Sequence, residues 1–170
     1  MVDQTVKLDS DHRMDKRVII PPIADDKGSL TLKQVGALPV VRGANGQWLV
    51  ILITTRDSGR WSIPKGNPIK GHTKSGAAAV EAFEEGGLIG NMAKRKLGSY
   101  LFWKRRSGHW ELAEVAVYLM KVETRATEFK EKGLRQIQSF SFEDAEDVIV
   151  EPGLKMLIRQ AGEALNRARG

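Results

Sequence analysis

The sequence predicts an α/β sandwich, and three observations lead to that prediction. The chain has 170 residues, which suits a single domain. Its 41% hydrophobic content is enough for a buried core, while 17 glycines and 6 prolines exclude a fibrous or low-complexity protein. Its β-rich runs outnumber its helical segments, which are few and separated. This pattern favours a sandwich over a doubly wound parallel sheet.

The domain is expected to begin near Gln34. Residues 1–33 show no sustained hydrophobic period and contain turn signals, so we predict an extended or partly mobile arm there and a single domain over 34–170. The first two β-rich runs are Val35–Arg42 and Trp48–Thr54, separated by a short segment rich in glycine and asparagine, which predicts a hairpin. Both runs are apolar on both faces, as is typical of central strands.

The middle of the chain changes from extended to helical. A short extended piece at Trp61–Ile63 leads into a loop rich in glycine and proline. Thr73 or Ser75 is suited to cap the helix that follows, and Gly86 with Gly87 provides a natural stop. We therefore predict a helix of about three turns, the length that these signals bound.

The last part of the chain contains three more predicted strands and two helices. Leu97–Lys104 and Trp110–Val122 are expected to form a hairpin, and Leu134–Phe142 one further strand. Ser141 can cap a short acidic helix, and Pro152 opens a final helix with basic residues on its exposed face. The predicted order is β, β, α, β, β, β, α, α.

Charge and cysteine content narrow the class of function. The chain has 27 basic and 21 acidic residues, a net charge of +6, which favours a polyanionic partner: nucleic acid, a phosphorylated small molecule or an anionic membrane surface. The absence of cysteine excludes disulfides, thiolate zinc sites and cysteine nucleophiles. No export or membrane-anchor signal is visible, so we expect a cytoplasmic protein with no membrane partner.

A cluster of carboxylates is the main candidate site. Glu81, Glu84 and Glu85 are spaced i, i+3 and i+4, so they project from one face of the predicted helix. Such a face is ordinary when solvated, but the small and apolar residues between the glutamates indicate a packed helix, where clustered carboxylates need a cation. Oxygen ligands suit Mg²⁺ or Mn²⁺. A main-chain carbonyl of Lys65 or Gly66 could complete the ligand set, because glycine lets the loop approach the helix.

The segment from Gly66 to Leu88 resembles the signature of the Nudix hydrolases. That signature is a glycine, five residues, a glutamate, seven residues, and then Arg-Glu-apolar-any-Glu-Glu-any-Gly-apolar. Seven of its nine defined places match, at Gly66, Glu81, Ala82, Glu84, Glu85, Gly87 and Leu88. The departures are His72 in place of the first glutamate and Val80 in place of the arginine.

The surroundings resemble the branch of diphosphoinositol polyphosphate and diadenosine polyphosphate phosphohydrolases, through the Trp-any-any-Pro-Lys-Gly sequence at Trp61–Gly66. The resemblance covers about Gln34–Ile158. It implies the α/β/α Nudix sandwich, a mixed β-sheet between helices, and Mg²⁺-dependent hydrolysis of a phosphoanhydride, with Mn²⁺ as the alternative ion. The implied substrate is a dinucleoside polyphosphate or a diphosphoinositol polyphosphate. A contrasting hypothesis is a catalytically weak or inactive domain that binds a nucleotide or an RNA end.

The resemblance also implies roles for individual residues. Ions held by the three glutamates would bind a diphosphate and lower the pKa of an attacking water. The general base is expected to be Glu84 or a distant carboxylate, for which Glu114 is the candidate because it interrupts an apolar strand face; the alternative is a structural partner of an arginine. Val80 removes the cation that orients a neighbouring glutamate in the family. His72 could coordinate or relay a proton, or could simply be solvated.

Basic residues near the box are candidates to bind phosphate. The segment 60–74 contains four cations and no acidic residue. It could hold a polyphosphate, although each cation could equally be a solvated surface charge. Trp61, Trp103 and Trp110 could stack a base or belong to the core. The substrate-binding candidates are Arg42, Arg60, Lys65, Lys70 and Arg135, with the Lys104–Arg106 hairpin beside them.

Overall fold

A mixed β-sheet between α-helices forms the centre of the computed structural model, which describes residues 31–168. The strands in this part of the chain are β1 (Leu32–Arg42), β2 (Trp48–Thr54), β3 (Trp61–Ser62), β4 (Lys65–Gly66), β5 (Leu88–Met92), β6 (Gly98–Arg106), β7 (His109–Arg125) and β8 (Ile137–Phe140). The helices are α1 (Lys74–Gly86), α2 (Phe142–Val148) and α3 (Pro152–Arg167).

The sheet has the order β3-β2-β1-β7-β5, with β4 paired to β1, β6 to β7 and β8 to β2. Strands β1 and β7 run parallel, from Leu32 opposite Ala113 to Val40 opposite Lys121, and the other pairs are antiparallel. The mixed sheet, the β1–β2 hairpin and the central position of both strands are therefore confirmed.

The two faces of the sheet carry different helices. Strand β1 contributes Val35 to the core beneath α1, where the helix packs through small side chains such as Ala77 and Ala78. On the opposite face, Leu38 of β1 lies in a larger cluster with Leu154 and neighbouring residues of α3. The small side chains of α1 let this helix lie close to the sheet, which brings its glutamates near the loop that contains β4.

The ends of α1 agree with the predicted signals. Thr73 is the N-cap, and its Oγ1 accepts a hydrogen bond from the Gly76 N–H at 3.0 Å. Gly87 ends the helix in the left-handed region, with φ of 64°, and donates its N–H to the Phe83 carbonyl at 2.8 Å. A side chain at Gly87 would also overlap the ring of Phe129. The predicted three-turn helix is confirmed over 13 residues.

Two elements differ from the prediction. The strand β5 was not predicted, because its sequence LIGNM contains Gly90 and Asn91 and lacks a clear period; its register shifts between Ile89 and Gly90. The predicted strand Leu134–Phe142 is shorter, since 129–136 forms turns and Phe142 already belongs to α2. Ser141 caps α2 and Pro152 opens α3, as predicted.

The predicted arm lies mostly outside the described residues. Strand β1 begins at Leu32, so residues 32 and 33 belong to the sheet, two residues before the expected start of the domain. The prediction for residues 1–30 stays a prediction. Among the helices of residues 31–168, none is long and apolar enough to span a membrane.

Candidate active site

The loop before α1 is held between the sheet and the helix. In β4, Lys65 pairs with Gly36 of β1, and the Ala37 N–H donates to the Pro64 carbonyl at 3.0 Å. Gly66 lies directly against Glu81, so that a methyl group at Gly66 would overlap the carboxylate. The sequence predicted this close approach, and only glycine permits it.

Glu85 is buried at the end of α1, with 8% of the residue exposed. Its Oε2 accepts the Lys65 main-chain N–H at 3.0 Å, and its Oε1 accepts Nη2 of Arg135 at 2.6 Å. The pKa of Glu85 is raised to about 7, because burial outweighs the opposing effects of the Arg135 charge and the Lys65 N–H. Both carboxylate oxygens are thus fixed by the protein.

Arg135 is the buried cation of this site. Besides Glu85, its guanidinium donates to Glu131 through Nε at 2.5 Å and to the Thr54 carbonyl through Nη1 at 2.9 Å. Each of its three nitrogens therefore has a protein acceptor. Arg135 was predicted to bind substrate; the structure places it as the partner that orients Glu85, and contact with a substrate stays a prediction.

Glu81 and Glu84 are more open than Glu85. Glu84 accepts a hydrogen bond from Nζ of Lys130 at 2.7 Å, with 34% of its side chain exposed. The pKa of Glu81 is raised, first by burial and then by repulsion from Glu84. A cation bound between these two carboxylates would relieve that repulsion.

The oxygen atoms of these residues are the type of ligand that a hard divalent cation prefers. Mg²⁺ in proteins is commonly held by one or two carboxylates together with water and phosphate oxygens, and Glu81 and Glu84 with the Gly66 carbonyl can supply such a set. Within residues 31–168, however, no group of three acidic or histidine side chains converges in metal-binding geometry. Glu85 is turned towards Arg135, so it is the least available of the three predicted ligands.

A cavity of about 500 Å³ opens beside Glu85. Two segments that follow strands form much of its wall, the loop after β2 and the β6–β7 hairpin. The charged residues that line it are Arg56, Arg60, Lys65, Lys104, Arg105 and Arg135, together with Asp57 and Glu85. Six cations against two carboxylates make this cavity suited to an anion. Burial lowers the pKa of both Lys65 and Lys104 from the usual value for lysine.

Gly66, Glu81 and Glu84 of the box do not line the cavity. Three further predicted residues, outside the box, do not line it either. Arg42 stacks on Trp48 at 3.9 Å and donates to the Gly46 carbonyl at 2.6 Å, in the β1–β2 hairpin. Lys70 is an exposed residue of the loop before α1. Glu114 forms an ion pair with Lys33, which lowers its pKa. Their predicted roles stay predictions without support from this cavity.

The aromatic candidates divide in the same way. Trp61 packs edge-on against Phe140 with ring centres 5.0 Å apart, in the core cluster beneath α3. Trp103 and Trp110 are exposed and line the cavity. His72 is exposed.

Several residues of the site were not found from the sequence. Arg56 lies near Arg60 and could have been included in the basic segment. Lys130 pairs with Glu84 across 46 residues, and Glu131 pairs with Arg135 four residues further along the chain. Nothing in their local sequence links them to the box, because the contact depends on how the 129–136 turns return to α1.

The family model described as NUDIX domain matches residues 32–160. The chain therefore belongs to the Nudix family, and the class of enzyme that this fold and box define is a Nudix phosphohydrolase. The resemblance stated for about Gln34–Ile158 is confirmed at the level of the family. A search of curated proteins found no match.

Solved structures share the fold. The Ap4A hydrolase of C. elegans is 16% identical with a TM-score of 0.57, covering 79% of this chain and 98% of that one. The NUDIX domain of Shewanella oneidensis NrtR complexed with ADP ribose is 16% identical with a TM-score of 0.60, covering 79% and 88%. The MutT protein of Methanosarcina mazei Go1 is 16% identical with a TM-score of 0.56, covering 82% and 99%.

Proposed function

We propose that the protein hydrolyses a phosphoanhydride bond in a nucleoside diphosphate derivative, with Mg²⁺ as cofactor and Mn²⁺ as the alternative. The observation that carries this proposal is the cavity of six cations and two carboxylates, which has Glu85 of the box in its wall. Cations without acidic residues would suit simple anion binding. Glu85 places the box next to these cations, and a metal ion held by Glu81 and Glu84 of the same box would supply the charge that hydrolysis of a bound diphosphate uses.

Each residue has a distinct role in this proposal. Glu81 and Glu84, with the Gly66 carbonyl, would hold the ion, and Glu85 would support them from its fixed position. An ion held there would withdraw charge from the diphosphate and lower the pKa of the attacking water. Lys65 and Arg60 bind phosphate oxygens. Glu84 is our first candidate for the base that receives the proton of the water, and Glu114 the second.

A dinucleoside polyphosphate is the first substrate class to test. The Ap4A hydrolase and the ADP-ribose complex among the similar structures support a nucleotide derivative. A diphosphoinositol polyphosphate, the second class implied by the Trp61–Gly66 sequence, belongs in the same panel because its diphosphate would meet the same cations.

The test is a panel of such substrates with Mg²⁺ and with Mn²⁺, with both products identified by mass so that the cleaved bond is located. Glu84→Gln should lower kcat by a factor of about 100 or more if it holds the metal or acts as base. Glu128→Gln is the matched control, since its side chain is 83% exposed and its ion pair within residues 31–168 is an i, i+4 contact with Lys132. Binding without cleavage of any substrate by the wild-type protein would favour the non-catalytic hypothesis instead.

A further inference from the structure

The β6–β7 hairpin presents two tryptophans to solvent beside the site. Trp103 is 46% exposed and Trp110 is 58% exposed. In the hairpin register, Trp103 lies opposite Leu112 and Trp110 lies opposite Arg105. Residues directly opposite each other share a face of the sheet, so the two tryptophans are diagonal neighbours on one face. Single exposed apolar residues are ordinary, but two exposed rings on one face of a hairpin offer a surface on which a flat ligand can stack.

Both tryptophans line the same cavity as Glu85 of the box. Lys104 follows Trp103 in sequence, Arg105 lies opposite Trp110, and Lys65 lines the same cavity. A volume of about 500 Å³ is within the usual range for small-molecule sites. The cavity therefore joins a cationic region, suited to phosphates, with an aromatic region that phosphates do not need.

Gln34 adds an independent observation on the cavity wall. The residue is 5% exposed, and its Nε2 donates to Oδ1 of Asn67 at 3.3 Å. Its Oε1 is buried and has no hydrogen-bond partner within residues 31–168. A buried acceptor without a donor costs free energy. A ribose hydroxyl or a base N–H can supply that donor, and phosphate oxygens cannot.

We propose that the β6–β7 hairpin is a nucleobase-binding subsite in which Trp103 and Trp110 stack the base of a substrate whose phosphates lie on Lys65 and the neighbouring cations. This inference rests on the proposed function and specifies it: the aromatic pair selects nucleotide substrates over diphosphoinositol polyphosphates, because a phosphorylated inositol ring has no π face. Base stacking on aromatic side chains is tolerant of base identity, so the subsite recognises nucleotides as a class.

The test compares a substrate that contains a nucleobase with one that contains none. Trp103→Leu and Trp110→Leu retain apolar volume but remove the ring. Each should raise KM for diadenosine tetraphosphate about tenfold with little change in kcat, while KM for inorganic tripolyphosphate or a diphosphoinositol polyphosphate stays the same. The Phe variants at both positions should restore KM to within about twofold, since they retain a ring. An equal rise in KM for both substrates, or no rise, overturns the subsite.

A second readout does not depend on cleavage. Adenosine diphosphate should quench the tryptophan fluorescence of the wild-type protein and of Trp48→Phe, whose ring lies in the β1–β2 hairpin, but not that of the double Leu variant. Quenching without hydrolysis would refute the proposed function and leave the subsite standing. Hydrolysis of diadenosine tetraphosphate with unchanged KM in the Leu variants would refute the subsite and leave the proposed function standing. Because both rings are exposed, thermal unfolding of the variants should match wild type.

Discussion

At the scale of single residues, the most constrained group is the guanidinium of Arg135. It lies 10% exposed between Glu85 and Glu131 and also bonds the Thr54 carbonyl. A buried carboxylate is costly without a partner, and even with Arg135 beside it burial raises the pKa of Glu85 to about 7. Arg135 opposes that rise and so helps to keep Glu85 ionised and in place.

Replacing Arg135 by methionine should lower the free energy of unfolding by about 3 kcal/mol, because it leaves two poorly solvated carboxylates without their cation. Urea denaturation measures the loss. Lys132→Met is the control: Lys132 is 51% exposed and its pair with Glu128 is solvated, so its loss should stay below about 0.5 kcal/mol. Equal losses in the two variants would mean that the buried network contributes no more than a surface pair.

The lowered pKa of Lys104 predicts a pH dependence of binding. Burial is the main cause and Arg106 adds repulsion, so Lys104 loses its proton at a lower pH than a free lysine. As pH rises, the affinity for an anionic substrate should therefore begin to fall at a pH below the usual range of lysine titration. Lys104→Arg keeps its charge, since arginine titrates above about pH 12, and should move this fall to higher pH. Profiles of KM against pH that coincide would show that Lys104 does not contact the substrate.

At the scale of elements, the site depends on the close approach of the β4 loop to α1. The loop is hydrogen-bonded to β1, and the helix packs on the same strand through alanines. Gly66 and Glu81 therefore lie close together because β4 and α1 both pack on β1. A Cβ at Gly66 has no free space, because the carboxylate occupies it.

Gly66→Ala should displace the Glu81 carboxylate, raise the Mg²⁺ concentration needed for half-maximal activity, and lower kcat/KM by about tenfold or more, as expected when a metal ligand is misplaced. A Mg²⁺ titration of activity measures this. Gly71→Ala in the same loop is the matched control. A Cβ there meets nothing within 4 Å, and its φ of 83° costs stability only. If the two variants bind Mg²⁺ alike, the contact between Gly66 and Glu81 has no part in the site.

At the scale of the whole molecule, the net charge of +6 is unevenly placed. Six cations line one cavity; Arg135 and Arg56 among them also pair with carboxylates, as Arg159 does with Glu146 on the surface. An excess of like charge in a concave site attracts anions over a distance comparable to the Debye length, about 10 Å at 0.1 M salt.

Binding of a polyphosphate substrate should therefore weaken with ionic strength. A plot of log KM against log salt concentration should rise, and Arg60→Gln or Arg105→Gln should reduce its slope. Arg167→Gln, in the last turn of α3, removes the same charge away from the cavity and should leave the slope unchanged. If all three variants change the slope alike, net charge rather than the cavity governs binding.

Features that depend on neighbouring residues could be predicted. The β1–β2 hairpin follows from two apolar runs and a turn, and the bounds of α1 follow from the Thr73 cap and the Gly87 stop. The spacing of the box glutamates is itself a local pattern, so the candidate site and the family could be inferred from it. Strand β5 was not predicted, because Gly90 and Asn91 are poor strand formers. They lie in a strand because β5 pairs with β7.

The sequence by itself determined the elements, the box and the excess of positive charge, since hydrophobic period, caps and residue spacing are short-range properties. Only the tertiary structure decided which cations meet the carboxylates. Arg135 reaches Glu85 across 50 residues, whereas Arg42 and Glu114 find partners away from the cavity. Such pairings depend on strand order and on how turns return to the sheet, and no local pattern records them. The physical reason is that burial, which makes a charge require a partner, is a property of the whole fold.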